Sequence, residues 1–101
     1  MKIRYFDHAA TTPVDNEVLK EMMPFFSQNF GNPSSIYSIG KSNKHEVQIA
    51  RNRVATALNV KPQEIYFTSC GSESDNLAIK GIAYGNRKKG NHIITTRIEH
   101  P

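Results

Sequence analysis

Cysteine occurs once in 101 residues, at Cys70. No internal disulfide framework can form, and the chain reads as one made for a reducing compartment. Long apolar runs are missing as well. No stretch approaches the roughly 18 apolar residues of a membrane span, and Met1-Lys2-Ile3-Arg4-Tyr5-Phe6-Asp7 has no long apolar core of the kind a secretory signal needs. A cytoplasmic location with no membrane partner is the expectation. A basic stripe is also lacking: the net charge is +4, but Lys and Arg are scattered and the one tight run is Arg87-Lys88-Lys89, with no interleaved aromatics. No nucleic-acid partner is expected. His8, His45 and His92 show no metal-ligand spacing, so no metal is expected. Repeats and low-complexity tracts are absent, and 38% hydrophobic against 22% charged residues is the balance of a globular chain rather than a disordered one.

What is present divides into helices followed by a strand–helix–strand pattern. After an extended start at 3–6, the small, polar segment Asp7-His8-Ala9-Ala10-Thr11-Thr12-Pro13 reads as an irregular loop closed by proline. Asp15 can cap a helix over about 16–28, on which Val18, Leu19, Met22, Met23, Phe25 and Phe26 recur at helical spacing, the two methionines reading as core filler. Gly31 and Pro33 break the chain before a second helix over about 38–58, with Val47, Ala50, Val54 and Leu58 on one stripe; Asn59 and Pro62 stop it. Then come a strand at about 64–68, a helix at about 73–88 ending near the Arg87-Lys88-Lys89 run, a Gly90-Asn91 turn, and a strand at 92–96. The expected class is therefore α/β, helices followed by a βαβ unit of a mainly parallel sheet. Two parallel strands need flanking strands, so the unit is expected to belong to a larger sheet.

The first strand runs into Ser69-Cys70-Gly71-Ser72-Glu73-Ser74-Asp75-Asn76, which opens the helix. Gly71 lets a ligand approach the backbone closely, Ser72 offers a hydroxyl, and the free N–H groups of the first helical turn suit a phosphate. The same residues also read as an ordinary cap, Ser72-x-x-Asp75 being a variant capping box. Ligands of open α/β sheets bind at the C-terminal strand edge, so this turn and Arg97-Ile98-Glu99-His100-Pro101 are expected to face one pocket.

Four segments taken together resemble a known family: Tyr5-Phe6-Asp7-His8-Ala9-Ala10-Thr11-Thr12-Pro13, Gly31-Asn32-Pro33-Ser34-Ser35, Phe67-Thr68-Ser69-Cys70-Gly71-Ser72-Glu73-Ser74-Asp75-Asn76, and Ile94-Thr95-Thr96-Arg97-Ile98-Glu99-His100. They are similar to the N-terminal portion of cysteine desulfurases, the NifS-like members of the class V aminotransferases, which have the type I fold of enzymes dependent on pyridoxal 5′-phosphate (PLP). The resemblance implies one incomplete domain over 1–101, with an N-terminal segment 1–15 and the start of the PLP-binding large domain at 16–101. It implies that Gly71 and Ser72 bind the cofactor phosphate, and that His100 lies against the cofactor ring and shuttles protons to and from the substrate. The loops carrying Thr11 and Asn32 then line or brace the active site, with those two residues nearest the substrate. His8 belongs to the same loop as Thr11.

For the whole protein the resemblance implies conversion of L-cysteine to L-alanine with an enzyme persulfide, sulfur supply to a sulfur acceptor or iron–sulfur scaffold protein, and a homodimer. Selenocysteine lyase and aminotransferase are the alternatives within the family; a non-catalytic phosphate-binding module is the alternative outside it. The family's Schiff-base lysine and persulfide cysteine lie in later segments, so this stretch alone is expected to be inactive. Lys80, Lys88 and Lys89 read as surface residues, and Cys70 matches a structural position although a helix N-terminus lowers a thiol's pKa. The chain departs from the pattern in three places. Tyr37 stands where many relatives have histidine, Cys70-Gly71 where Gly-Ala is common, and Ser72 where threonine is commoner, which keeps the hydroxyl.

Overall fold

The computed structural model describes residues 3–99, and these form three α-helices and one 3-10 turn. Helix α1 spans Asn16–Ser27. Asp15 starts it as expected, its Oδ1 accepting the Glu17 N–H at 2.8 Å. Helix α2 spans Ser38–Leu58 and ends where Asn59 takes the left-handed conformation at φ 54°. The Val60 N–H then returns to the Ala55 carbonyl at 2.9 Å, closing the helix with asparagine in the place glycine usually fills. A 3-10 turn at Pro62–Glu64 follows, and Arg51 of α2 donates to the Ile65 carbonyl just beyond it. Helix α3 spans Gly71–Gly85.

Helix α3 ends three residues earlier than the sequence pattern indicates. Asn86 supplies both its N–H (3.0 Å) and its side-chain amide (2.9 Å) to the Ile82 carbonyl, closing the last turn. The Arg87-Lys88-Lys89 run therefore lies past the helix, where the Arg87 guanidinium sits 4.6 Å from the Tyr84 ring centroid.

No strand forms among the described residues: of the segments expected as strands at 64–68 and 92–96, Glu64 belongs to the 3-10 turn and the rest carries no regular structure. The reason is the one that makes a parallel pair marginal: such strands need flanking strands on both sides, and no strand pairing forms among the described residues. The apolar stripes have a similar fate. Val18, Met22, Met23 and Phe26 of α1, and Val47, Val54 and Leu58 of α2, are exposed, so the methionines are not core filler here. Among the described residues Ala55, 1% exposed, is the buried hydrophobic residue, and Asn43, at 7%, the buried polar one.

The chain divides into two units, residues 1–65 and 66–101. In the first, α2 packs against the 3-10 turn. In the second, the C-terminal half of α3 and the segment 90–93 line a cavity of about 710 Å³, bordered mainly by Ile79, Ile82, Ala83, Tyr84, His92 and Ile93. Neither Gly71 nor Ser72 belongs to that apolar trough.

Candidate functional site

The N-terminus of α3 is built by side chains upstream and downstream of it. Cys70 is the residue that precedes the helix, extended at φ −164°, ψ 171°, and its side chain gives no cap. The capping function is taken by Glu73: one carboxylate oxygen accepts the Ser69 N–H and the Ser69 hydroxyl, each at 2.7 Å. The sequence reading of Ser72-x-x-Asp75 as the capping box is therefore corrected. The helix starts one residue before Ser72, because Glu73 reaches back to Ser69, and Asp75 has no part in the cap. On the other side the Thr68 and Ser74 hydroxyls meet at 2.6 Å, one donating to the other, and lie 3.2 and 3.3 Å from the Cys70 carbonyl, which accepts from the hydroxyl whose proton is free. The turn is thus tied at both ends before any ligand enters.

This arrangement leaves Gly71 and Ser72 outward. Both are exposed. A Cβ placed on Gly71 would meet nothing within 4 Å, and among the described residues the Ser72 hydroxyl has no hydrogen-bond partner. The Gly71 N–H and the Ser72 hydroxyl therefore stand as donors at the positive end of a 15-residue helix, while the Ser72 N–H is directed to the Cys70 sulfur. A tetrahedral dianion such as the phosphate of PLP needs several donors, positive potential and open space on one side. The residues fit that group.

Two ionisable groups respond to the same helix end. The Glu73 N–H, aided by the Ser69 hydroxyl and the Ser72 N–H, draws the Cys70 thiol below its ordinary range, against a smaller opposing effect of desolvation. The Ser69 N–H and hydroxyl likewise hold the Glu73 carboxyl below the usual carboxylate range. A carboxyl with a lowered folded-state pKa contributes stability above its unfolded pKa of about 4.3 and loses it as pH falls through the folded value. Protection of the amides at 69–73 in the full-length protein, measured against their intrinsic exchange rates, is therefore expected to fall as pH drops below about 4.3. Glu73→Gln should flatten that dependence, and an unchanged pH profile would refute the assignment.

In the first unit, the loop at 7–12 turns about one atom. The Asp7 carbonyl accepts the Ala10 N–H (3.1 Å), the Thr11 N–H (3.5 Å) and the Tyr5 hydroxyl (2.7 Å). Thr11 is exposed, and His8 packs edge-on against Tyr5 with centroids 5.3 Å apart. Asn32 is exposed in a tight turn, its Oδ1 accepting the Ser34 N–H at 2.9 Å and its carbonyl the Ser35 N–H at 3.0 Å.

Sequence reasoning missed what holds that turn. Gly40 is buried, and a Cβ there would lie 2.6 Å from the Asn32 carbonyl oxygen and 2.8 Å from that of Ser35. A Cβ on Gly31 would lie 2.3 Å from Ile39 Cγ2. Asn43, one turn along α2, donates its side-chain amide to the carbonyls of Asn29 (2.6 Å) and Gly31 (2.5 Å). The available signal was a glycine inside a helix, costly unless something packs against it, followed by an amide at i+3.

His100 lies outside the described residues. The nearest described segment is a turn in which the Thr96 hydroxyl donates to Glu99 at 2.7 Å. Among the described residues no cluster of His, Cys, Asp or Glu could hold a metal ion, and no helix is long and apolar enough to cross a membrane.

The aminotransferase class-V model matches residues 4–101, and the chain belongs to that family. It is 64% identical over 96 residues to a cysteine desulfurase IscS of Clostridium botulinum (strain Hall), covering 95% of this chain and 24% of that relative. It is 60% identical over 99 residues to a cysteine desulfurase IscS of Methanosarcina thermophila, covering 98% of this chain and 24% of the relative. Among solved structures, a NifS-like protein superposes with a TM-score of 0.87 at 46% identity, over 95% of this chain and 26% of the other. The chain thus spans about a quarter of the length of the relatives it matches, and its fold is that of the corresponding part of a NifS-like protein.

Proposed function

We propose that the full-length protein is a PLP-dependent cysteine desulfurase, and that residues 1–101 are one incomplete domain of it: the segment 1–15 and the start of the large PLP-binding domain at 16–101. The observation that carries this reading is the outward donor set of Gly71 and Ser72 at the start of α3, in a chain 64% identical to a cysteine desulfurase. In the complete fold the segments 64–68 and 92–96 become neighbouring parallel strands of a larger sheet, which would bring Gly71, Ser72 and His100 around one cavity.

In this reading Gly71 and Ser72 hold the phosphate of PLP. The cofactor, when bound, supplies an electron sink for the bond-breaking at the substrate. His100 lies against the ring and moves a proton through its imidazole to and from the substrate. Thr11 and Asn32 lie nearest the substrate. L-cysteine gives L-alanine and a persulfide on a cysteine outside residues 1–101, and the sulfur passes to an acceptor or iron–sulfur scaffold protein. The enzyme is a cytoplasmic homodimer, and residues 1–101 alone do not turn over cysteine. The test is incubation of the full-length protein with PLP and L-cysteine. Alanine and transferable sulfur in equal amounts support the proposal. Amino-group transfer to a keto acid without sulfur release, or release of selenium from selenocysteine only, refutes it.

A further inference from the structure

We propose that Asn43 is a positioning residue that holds the Asn32 amide toward the substrate; this rests on the reading of Asn32 as a substrate-proximal residue. Asn43 is more than nine-tenths buried, and its Nδ2 donates to the carbonyls of Asn29 and Gly31 at 2.6 and 2.5 Å. Those two acceptors lie on the approach to Asn32, so the amide pins the loop on the side where it enters the turn. On the far side the turn is closed by Asn32 itself, whose Oδ1 and carbonyl accept the Ser34 and Ser35 N–H groups at 2.9 and 3.0 Å. Gly40 completes the seat, since its missing Cβ lets the Asn32 carbonyl lie against α2.

With Oδ1 committed to the turn, the part of the Asn32 side chain left without a partner among the described residues is its Nδ2, a two-proton donor on an exposed residue. Such a donor suits an oxygen acceptor, and the carboxylate of a small amino acid is the acceptor this reaction offers. Asn43 touches neither substrate nor cofactor. Its buried amide replaces water at two loop carbonyls and fixes where Asn32 points, so losing it leaves those carbonyls unsatisfied and the loop free to move.

The test is steady-state kinetics of the PLP-loaded full-length enzyme with L-cysteine, for wild type, Asn32→Ala, Asn43→Ala, Asn43→Ser and the double alanine variant. Asn32→Ala and Asn43→Ala should each raise KM, by about 10–100-fold for the former, with kcat and cofactor absorbance little changed. The double variant should be no worse than Asn32→Ala alone, because Asn43 acts through Asn32. Asn43→Ser, which keeps one donor, should fall between wild type and Asn43→Ala. A wild-type KM for Asn32→Ala overturns the reading of Asn32 and the proposal with it. A raised KM for Asn32→Ala beside a normal one for Asn43→Ala, or fully additive effects, overturns the role of Asn43 alone. Should neither Asn43 variant load cofactor or fold, Asn43 serves the fold and the proposal is refuted.

Discussion

Replacing Gly71 with aspartate is expected to weaken PLP binding by the full-length protein at least about 100-fold, equivalent to roughly 2.7 kcal/mol, while leaving α3 formed. The new side chain has room, since a Cβ at this position meets nothing within 4 Å. An acid in the first turn also complements the helix dipole, so the variant gives the fold no reason to fail. What changes is the charge facing the ligand. A carboxylate about 4 Å from a phosphate charge is repelled by about 4 kcal/mol per charge pair at an effective dielectric near 20, more than the loss stated above. Gly71→Ala, adding a methyl and no charge, should keep most of the affinity. Absorbance titration of the apoprotein with PLP measures both variants, and an aspartate variant that binds as wild type would contradict the assignment of this turn.

The second large effect is expected at His100. Substitution with asparagine keeps a hydrogen-bonding side chain but removes a group that exchanges protons near neutral pH, and kcat for cysteine should fall by about 10²–10⁴-fold. Cofactor loading should persist, because Gly71 and Ser72, the proposed phosphate donors, are untouched. A variant that retains PLP absorbance and loses turnover supports the proton role. Full turnover without the imidazole would remove His100 from the reaction.

The helices were legible in the sequence because their signals are local. Asp15 caps α1 by reaching two residues forward, and Asn59 ends α2 by adopting a left-handed turn open to asparagine. The end of α3 was read three residues late. Its apolar spacing runs on toward the basic run, whereas Asn86 stops it through a side-chain bond that periodicity does not register. The strands were legible only as propensity. Segments 64–68 and 92–96 have strand-like composition, but a strand exists by virtue of its neighbours, and none lies among the described residues.

The candidate site follows the same division. Gly71 and Ser72 could be picked out from a strand-to-helix turn, and the structure does leave them outward at the start of α3. The cap itself was misread, since Ser-x-x-Asp matches the pattern at Ser72, while the longer Glu73 reaches Ser69 instead. Asn43 and Gly40 were not legible as partners of the Asn32 turn. Their role depends on how closely a loop approaches a helix across sequence separations of 12 and 14 residues for the two Asn43 bonds, and no periodicity encodes that.

The dissociation constant of PLP from full-length wild-type, Ser72→Ala and Ser72→Thr protein tests the phosphate assignment most directly. Loss of one hydroxyl donor to a charged group should weaken binding by about 10–100-fold in the alanine variant, and threonine should restore it. Equal affinity in all three would show that the start of α3 does not hold the cofactor.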